Sequence, residues 1–165
     1  MKVGIVSDTH GNLRALEAAL KVLSSKGAEA VVHCGDVGNS ACIRLMGACG
    51  LPVYVVAGNM DRHVEELAEA AGACGVNFLG KVIQFPVSPG VSIAVTHGDD
   101  PGVLGGLIEC GQFRYVCRGH THRPDQRRVG GVRVINPGAL ERTRRRTVAL
   151  LDTEQDTLEH LAVNV

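Results

Sequence analysis

The chain has 165 residues, and its 17 Lys+Arg balance 17 Asp+Glu to a formal net charge of zero, which excludes a uniformly acidic or basic tail protein. That length suits one domain spanning residues 1–165, burying roughly 70% of its unfolded surface. A hydrophobic content of 45% and a charged content of 21% exclude a disordered polyelectrolyte, and the lack of Trp with only two Tyr and three Phe disfavours an aromatic platform for stacking bases.

In chain order, Lys2–Ser7 is a β-branched, alternating strand. Its apolar run stops at Ser7 and Asp8, too short for an export signal, and no run approaches ~18 apolar residues, so a cytoplasmic protein away from membranes is expected. Asn12 is placed to cap a helix over Leu13–Lys26, with Leu13, Leu16, Ala19, Leu20 and Leu23 at helical spacing and Gly27 as the stop. Ala30–Cys34 is the next strand, Ser40–Ala48 a short helix, Val53–Val56 a strand, and about Arg62–Ala71 a helix. This β-α-β-α-β series predicts a parallel sheet. Beyond it, Lys81–Phe85, Val91–Thr96, Tyr115–Cys117, Arg127–Val129, Val132–Ile135, Thr147–Leu151 and Leu158–Val163 read as strands, with a helix over about Gly102–Cys110. Gly130–Gly131 signals a hairpin. Parallel α/β is therefore expected to give way to antiparallel β, in an α/β fold of two packed sheets flanked by helices. Cys34, Cys42, Cys49, Cys74, Cys110 and Cys117 form no C-x-x-C pair and read as reduced, mostly buried thiols.

The polar residues with chemistry fall just after predicted strands: Asp8-Thr9-His10, Gly35-Asp36, Gly58-Asn59, Thr96-His97-Gly98 and Gly119-His120-Thr121-His122. Strand C-terminal ends are where open α/β sheets place ligands, so loops distant in sequence can converge there. Asp8, His10, Asp36, Asn59, His97, His120 and His122 offer oxygen and nitrogen donors suited to Mn, Fe, Ni, Co or Zn. One ion rarely takes that many protein ligands, so two are expected, about 3.5–4 Å apart. Such a pair outweighs the two carboxylates and leaves a positive site for a phosphate. It also brings the pKa of water toward ~7. Taken singly each motif is weak, since Asp8 could cap the first turn and His97 could be a structural histidine. Their joint placement after strands carries the argument.

The motifs SDTHGN, HCGDVGN, AGNMD, THGD and RGHTH resemble the calcineurin-like metallophosphoesterase superfamily. With the short chain and the segment VINPGAL, they are similar to its small bacterial and archaeal phosphodiesterase branch. The resemblance implies a four-layer sandwich of two mixed β-sheets between helices. It also implies a metal-dependent phosphodiesterase with two divalent ions, manganese first, with nickel, iron, cobalt or zinc as alternatives. Position by position, Asp8, His10 and His122 would hold one ion and Asn59, His97 and His120 the other. Asp36 would bridge them. Asp36, Asn59 and His97 would serve catalysis around a bridging hydroxide that attacks phosphorus in line, with Asn59 also contacting substrate. The alternatives are a phosphomonoesterase or nucleotidase, and a non-catalytic interaction scaffold such as the retromer subunit of this fold. Partners implied are a small phosphate-ester substrate and further copies of the chain in a dimer or tetramer, with a nucleic acid left open.

The sequence departs from the family pattern at Met60, where a His usually follows Gly-Asn. Methionine cannot donate a proton, so a general-acid contribution of ~10²–10⁴-fold is missing or comes from elsewhere. Aryl diesters with acidic leaving groups are the expected substrates. His63 is a weak replacement candidate. Asp61 either orients a metal-ligating His or caps the helix from Arg62. Asp99 or Asp100 is expected to cap a helix beginning at Pro101. Asn136-Pro137-Gly138 reads as a turn near the site.

Residues 114–146 hold ten arginines against Asp125 and Glu141 only. The densest run, Arg142 and Arg144–Arg146, reads as a solvated strand edge blunted by charge in preference to a polyanion surface. Arg118 and Arg123, beside the Gly-His-Thr-His motif, are the better candidates for substrate phosphate.

Overall fold

The computed structural model describes residues 1–165. In chain order the elements are β1 (Lys2–Val6), α1 (Leu13–Ser25), β2 (Ala30–His33), α2 (Ser40–Gly47), β3 (Val53–Val55), α3 (Val64–Cys74), β4 (Asn77–Phe78), β5 (Val82–Ser88), β6 (Val91–Thr96), α4 (Pro101–Glu109), β7 (Tyr115–Cys117), β8 (Asp125–Val129), β9 (Val132–Asn136), β10 (Thr147–Asp152) and β11 (Thr157–Ala162). The strands form a six-stranded sheet, β11-β10-β1-β2-β3-β4, and a five-stranded sheet, β5-β6-β7-β9-β8.

Side-chain alternation along each strand divides the core into layers. Val3 and Ile5 of β1, Ala149 and Leu151 of β10, Ile93 and Val95 of β6, and Tyr115 and Cys117 of β7 meet between the sheets. The opposite faces of β1, β3 and β10 present Val6, Val53, Val55, Val148 and Leu150 to α1, α2 and α3, which contribute Leu16, Leu23, Ile43, Met46 and Leu67. On the far side of the second sheet, Ala94, Val116, Val132 and Val134 pack with Leu104 and Leu107 of α4. The architecture is thus helices, sheet, sheet, helix. Asn12 caps α1 by accepting from the Ala15 N–H (3.0 Å). Asp100, not Asp99, caps α4, its Oδ1 accepting from the N–H groups of Gly102 (2.9 Å) and Val103 (3.2 Å).

Four expectations change. The second half is not antiparallel throughout, because β6, β7 and β9 lie parallel to one another. Helix α4 supplies the crossover from β6 to β7, and β8 moves to the sheet edge so that the hairpin returns β9 alongside β7. The last two strands rejoin the first sheet, with β10 antiparallel to β1. The short β4 is an addition that its two residues gave no periodicity to announce. The cysteines are free, but only Cys34, Cys42 and Cys117 are buried and Cys110 is exposed.

Candidate metal centre

The parallel strands β1, β2 and β3 share a direction, as do β6 and β7, so the loops after them gather at one end of the sandwich. The backbone in these loops is unusual. The non-glycine residues in the left-handed region are Asp8 (φ 53°), His10 (47°), Asp36 (55°), His120 (69°), His122 (57°), Arg142 (56°) and Asp156 (51°). Five of those seven are candidate ligands. Left-handed backbone costs an L-residue roughly 1–2 kcal/mol and persists where surrounding structure fixes it. Close approach fixes two of the loops here, since a Cβ at Gly119 would collide with Ser7 and Asp8, and one at Gly58 with Asp36.

The fully buried Asp8 carboxylate shows what the site lacks. Its Oδ2 accepts from the Ser7 hydroxyl (2.6 Å) and the His120 N–H (3.1 Å). Its Oδ1 is buried with no hydrogen-bond partner, although His122 Nε2 lies 3.0 Å away and His10 Nε2 3.9 Å. The two Nε2 atoms are 3.4 Å apart. The Nδ1–H of His122 donates to the Arg142 carbonyl (3.3 Å), which turns the Nε2 lone pair inward. With its proton on Nδ1, His122 presents a lone pair to the Asp8 Oδ1 acceptor, and His10 Nε2 stands beside both. A divalent cation fits that donor set.

A second group adjoins it. His97 Nδ1–H donates to the Cys34 carbonyl (2.7 Å), so its Nε2 faces Asn59 Oδ1 (3.0 Å) and Asp36 Oδ2 (3.5 Å). Asp36 Oδ2 is also 3.8 Å from His10 Nε2, which puts this carboxylate between the two groups. Burial opposes charge on both Asp36 and His97, yet their mutual contact wins. The Asp36 carboxyl is held below its usual range, with help from the Met60 N–H (2.8 Å), and the His97 imidazole is raised above its own. Burial lowers the His10 imidazole, against the pull of Asp36. His120 stands at its rim, exposed, with its ring edge-on to His97 and the centroids 5.2 Å apart.

The supporting residues divide into those the sequence flagged and those it did not. Asp61 neither orients a histidine nor caps α3. The residue before α3 is His63, whose side chain caps nothing. The Asp61 carboxylate instead accepts from the N–H groups of Val37 (3.1 Å), Gly38 (2.8 Å) and Gly58 (2.9 Å), tying the Asp36 loop to the Asn59 loop. Asn136 braces the Gly-His-Thr-His loop by donating to the Gly119 carbonyl (2.8 Å) and to Thr121 Oγ1 (3.0 Å). His33 was not singled out, because a histidine within a buried strand reads as a core position. Burial pushes its pKa down to about 3, so it is neutral. Its Nδ1 accepts from the Gly35 N–H (3.2 Å), and its Nε2–H donates to Thr9 (2.8 Å), linking the first two loops.

The arginine candidates are rearranged. Arg118 packs against Gly98, with Nη2 3.8 Å from Asp125, and its side chain is 14% exposed. The run from Arg142 is neither a strand edge nor remote. It lies in the loop between β9 and β10, and its Arg142, Arg144 and Arg145 share a cavity of about 630 Å³ with His120, His122 and Arg123, which neither Arg118 nor Arg146 lines. Met60 is 40% exposed, and His63 shares a separate cavity with it.

Comparison with known proteins shows the family. The family model described as the calcineurin-like phosphoesterase superfamily domain matches residues 1–156. The chain is 31% identical over 158 residues to phosphodiesterase MJ0936 of Methanocaldococcus jannaschii, covering 94% of this chain and 95% of that protein. It is 27% identical over 148 residues to phosphodiesterase YfcE of Escherichia coli, covering 85% and 79%. Among solved structures, an archaeal phosphodiesterase superposes with a TM-score of 0.90 at 29% identity, covering 99% of this chain and 100% of that one. A Vps29 variant from Entamoeba histolytica shares the fold, with a TM-score of 0.68 at 18% identity over 99% and 100% of the two chains.

Proposed function

This chain belongs to the calcineurin-like phosphoesterase superfamily, and from that premise we propose that it is a phosphodiesterase dependent on two divalent ions. The observation that carries the reading is the unpartnered, fully buried Asp8 Oδ1, faced by the inward Nε2 atoms of His10 and His122. In this reading Asp8, His10 and His122 hold one ion, and Asn59, His97 and His120 the other. Asp36 lies between them. Manganese is the first candidate, with nickel, iron, cobalt or zinc as alternatives. When bound, such ions supply hydroxide at neutral pH and positive charge for the phosphoryl oxygens.

The chain's own groups do the rest. Asp36, Asn59 and His97 sit at the reacting end. With Asn59 Oδ1 turned to His97, the Asn59 amide N–H remains to donate to a phosphoryl oxygen. Met60 contributes only its backbone N–H, which orients Asp36, and has no proton for a departing oxygen. Leaving groups that depart readily as anions are therefore favoured, and phenolic diesters suit the site better than alkyl ones.

A screen of manganese-reconstituted protein on aryl diesters, alkyl diesters and aryl monoesters tests this. The expected result is hydrolysis of bis(p-nitrophenyl) phosphate well above that of a dialkyl diester or p-nitrophenyl phosphate. Monoester hydrolysis exceeding diester hydrolysis would make it a monoesterase. Ion-loaded protein inert on every ester would leave the scaffold reading.

A further inference from the structure

The cavity beside the candidate metal centre is lined by Arg123, Arg142, Arg144 and Arg145 together with His120 and His122, and by no hydrophobic residue and no carboxylate. None of those four guanidinium groups has a carboxylate within ion-pair distance, whereas Arg114, Arg118, Arg128, Arg133 and Arg146 of the same segment each have one. All four are exposed and solvated, and together they give the hollow a positive field that draws an anion. The guanidinium fork matches phosphate oxygens in pairs.

The loop that carries these arginines is held in place. Glu141 accepts from Asn12 at the start of α1, and Arg146 Nε donates to the Leu140 carbonyl (2.9 Å). The Thr143 hydroxyl donates to the Arg145 carbonyl (3.1 Å) and accepts from the Arg145 N–H (3.4 Å). The Arg142 carbonyl is the acceptor that orients His122. One residue thus belongs to both the arginine cavity and the ligand cluster, so an anion in the cavity would lie next to the reacting phosphorus.

We infer that the substrate is a phosphodiester carrying a second phosphoryl group, which Arg123, Arg142, Arg144 and Arg145 bind while the scissile diester sits at the Asp8–Asp36–His97 cluster. This rests on the phosphodiesterase reading above and adds the substrate class to it. The cavity volume of about 630 Å³ is that of a small-molecule site. Its lining has no Phe, Tyr or Trp, and its two imidazoles, His120 and His122, belong to the candidate ligand set, so recognition runs through phosphate and not through base identity. A small bisphosphorylated ester fits these features better than a nucleic-acid strand.

The test measures how adenosine 3′,5′-bisphosphate and adenosine 5′-monophosphate bind the manganese-loaded chain. Calorimetry reads binding directly, and competition against bis(p-nitrophenyl) phosphate reads it at the reacting site. The expected result is at least tenfold tighter binding of the bisphosphate. That preference should fall about tenfold in Arg144→Ala/Arg145→Ala, recover in part in Arg144→Lys/Arg145→Lys, and persist in Arg128→Ala at the opposite end. Thermal melts establish that each variant is folded. Equal affinities in the unmodified chain, or a preference that survives the double alanine change, would overturn the inference. Tighter binding of a single-stranded 12-mer through the same arginines would replace it with a nucleic-acid surface. Absent hydrolysis with the calorimetric preference intact would refute the phosphodiesterase reading alone.

Discussion

The arginine-rich segment serves the two ends of the sandwich in opposite ways. Register places the β10–β11 turn at the start of β1, with Lys2 opposite Asp152, away from the end where Asp8 emerges. In that turn Asp156 gathers Arg114 (3.2 Å), Arg128 and Arg133 (3.4 Å) and accepts from the Tyr115 hydroxyl (3.1 Å). At the other end, Arg123, Arg142, Arg144 and Arg145 surround a hollow with no acid among them. The backbone repeats the contrast, since the left-handed non-glycine residues are concentrated where the charges are unmatched. One end matches Arg114, Arg128 and Arg133 to the carboxylate of Asp156, itself left-handed, while the other holds unmatched charge, most of the left-handed residues and an unpartnered carboxylate oxygen together. Groups held that way cost stability, and ligands of opposite charge relieve them.

Substitutions at the two ends should differ in their effects, and the largest is expected at Asp36. Asp36→Ala removes the carboxylate that faces both His10 and His97. It should lower kcat/KM on an aryl diester by about 10³-fold or more, several kcal/mol of lost charge stabilisation, with the circular-dichroism spectrum unchanged. Activity within tenfold of the unmodified chain would place the reacting end elsewhere.

A smaller loss, about 10–100-fold in manganese affinity, is expected for Asp61→Asn, because its carboxylate acts through loops that carry ligands. Metal titration with an inductively coupled plasma readout checks it. Glycine substitutions sharpen the contrast further. A Cβ at Gly58 would push on Asp36, whereas one at Gly131 in the β8–β9 hairpin meets nothing within 4 Å. Gly58→Ala should reduce hydrolysis and metal affinity together, and Gly131→Ala should change neither.

The smallest effect belongs to the neutralised end. Asp156 is drawn down to about 2, since its hydrogen bonds from Arg128, Tyr115 and Arg114 outweigh the opposing effect of burial. The folded carboxyl binds its proton less readily than the unfolded one, near 3.9, so its contribution is full above about pH 4 and fades as pH falls through about 2. Arg114 and Arg128 are about half exposed and water screens them, so Asp156→Ala should cost only about 1 kcal/mol in urea denaturation at pH 7. The difference from the unmodified chain should shrink near pH 2, with hydrolysis at neutral pH unaffected.

What the sequence discloses about this molecule depends on whether a feature is local. The ligand motifs were legible because each follows a short apolar strand, and strand ends are places where polar residues need a reason. Alternation likewise announced β1, whose Val3 and Ile5 face the second sheet while Val6 faces the helices. The role of Asp61 was not legible, since three backbone N–H donors leave no mark on residue identity. His33 was hidden by its place within a strand. The arginine run was misplaced for a topological reason. His122 and Arg142 are 20 residues apart, and only the return of the β8–β9 hairpin brings them together. The parallel pairing of β7 with β9 was missed on the same ground, because strand direction is decided by where the connection crosses and not by the strand itself.

Anomalous diffraction from crystals soaked in a manganese salt locates the bound ions. Two peaks are expected about 4 Å apart, one among Asp8, His10 and His122 and the other among Asn59, His97 and His120, with Asp36 reaching both. Strong aryl-diester hydrolysis by crystals whose manganese peaks lie away from these residues, or that bind none, would contradict that placement.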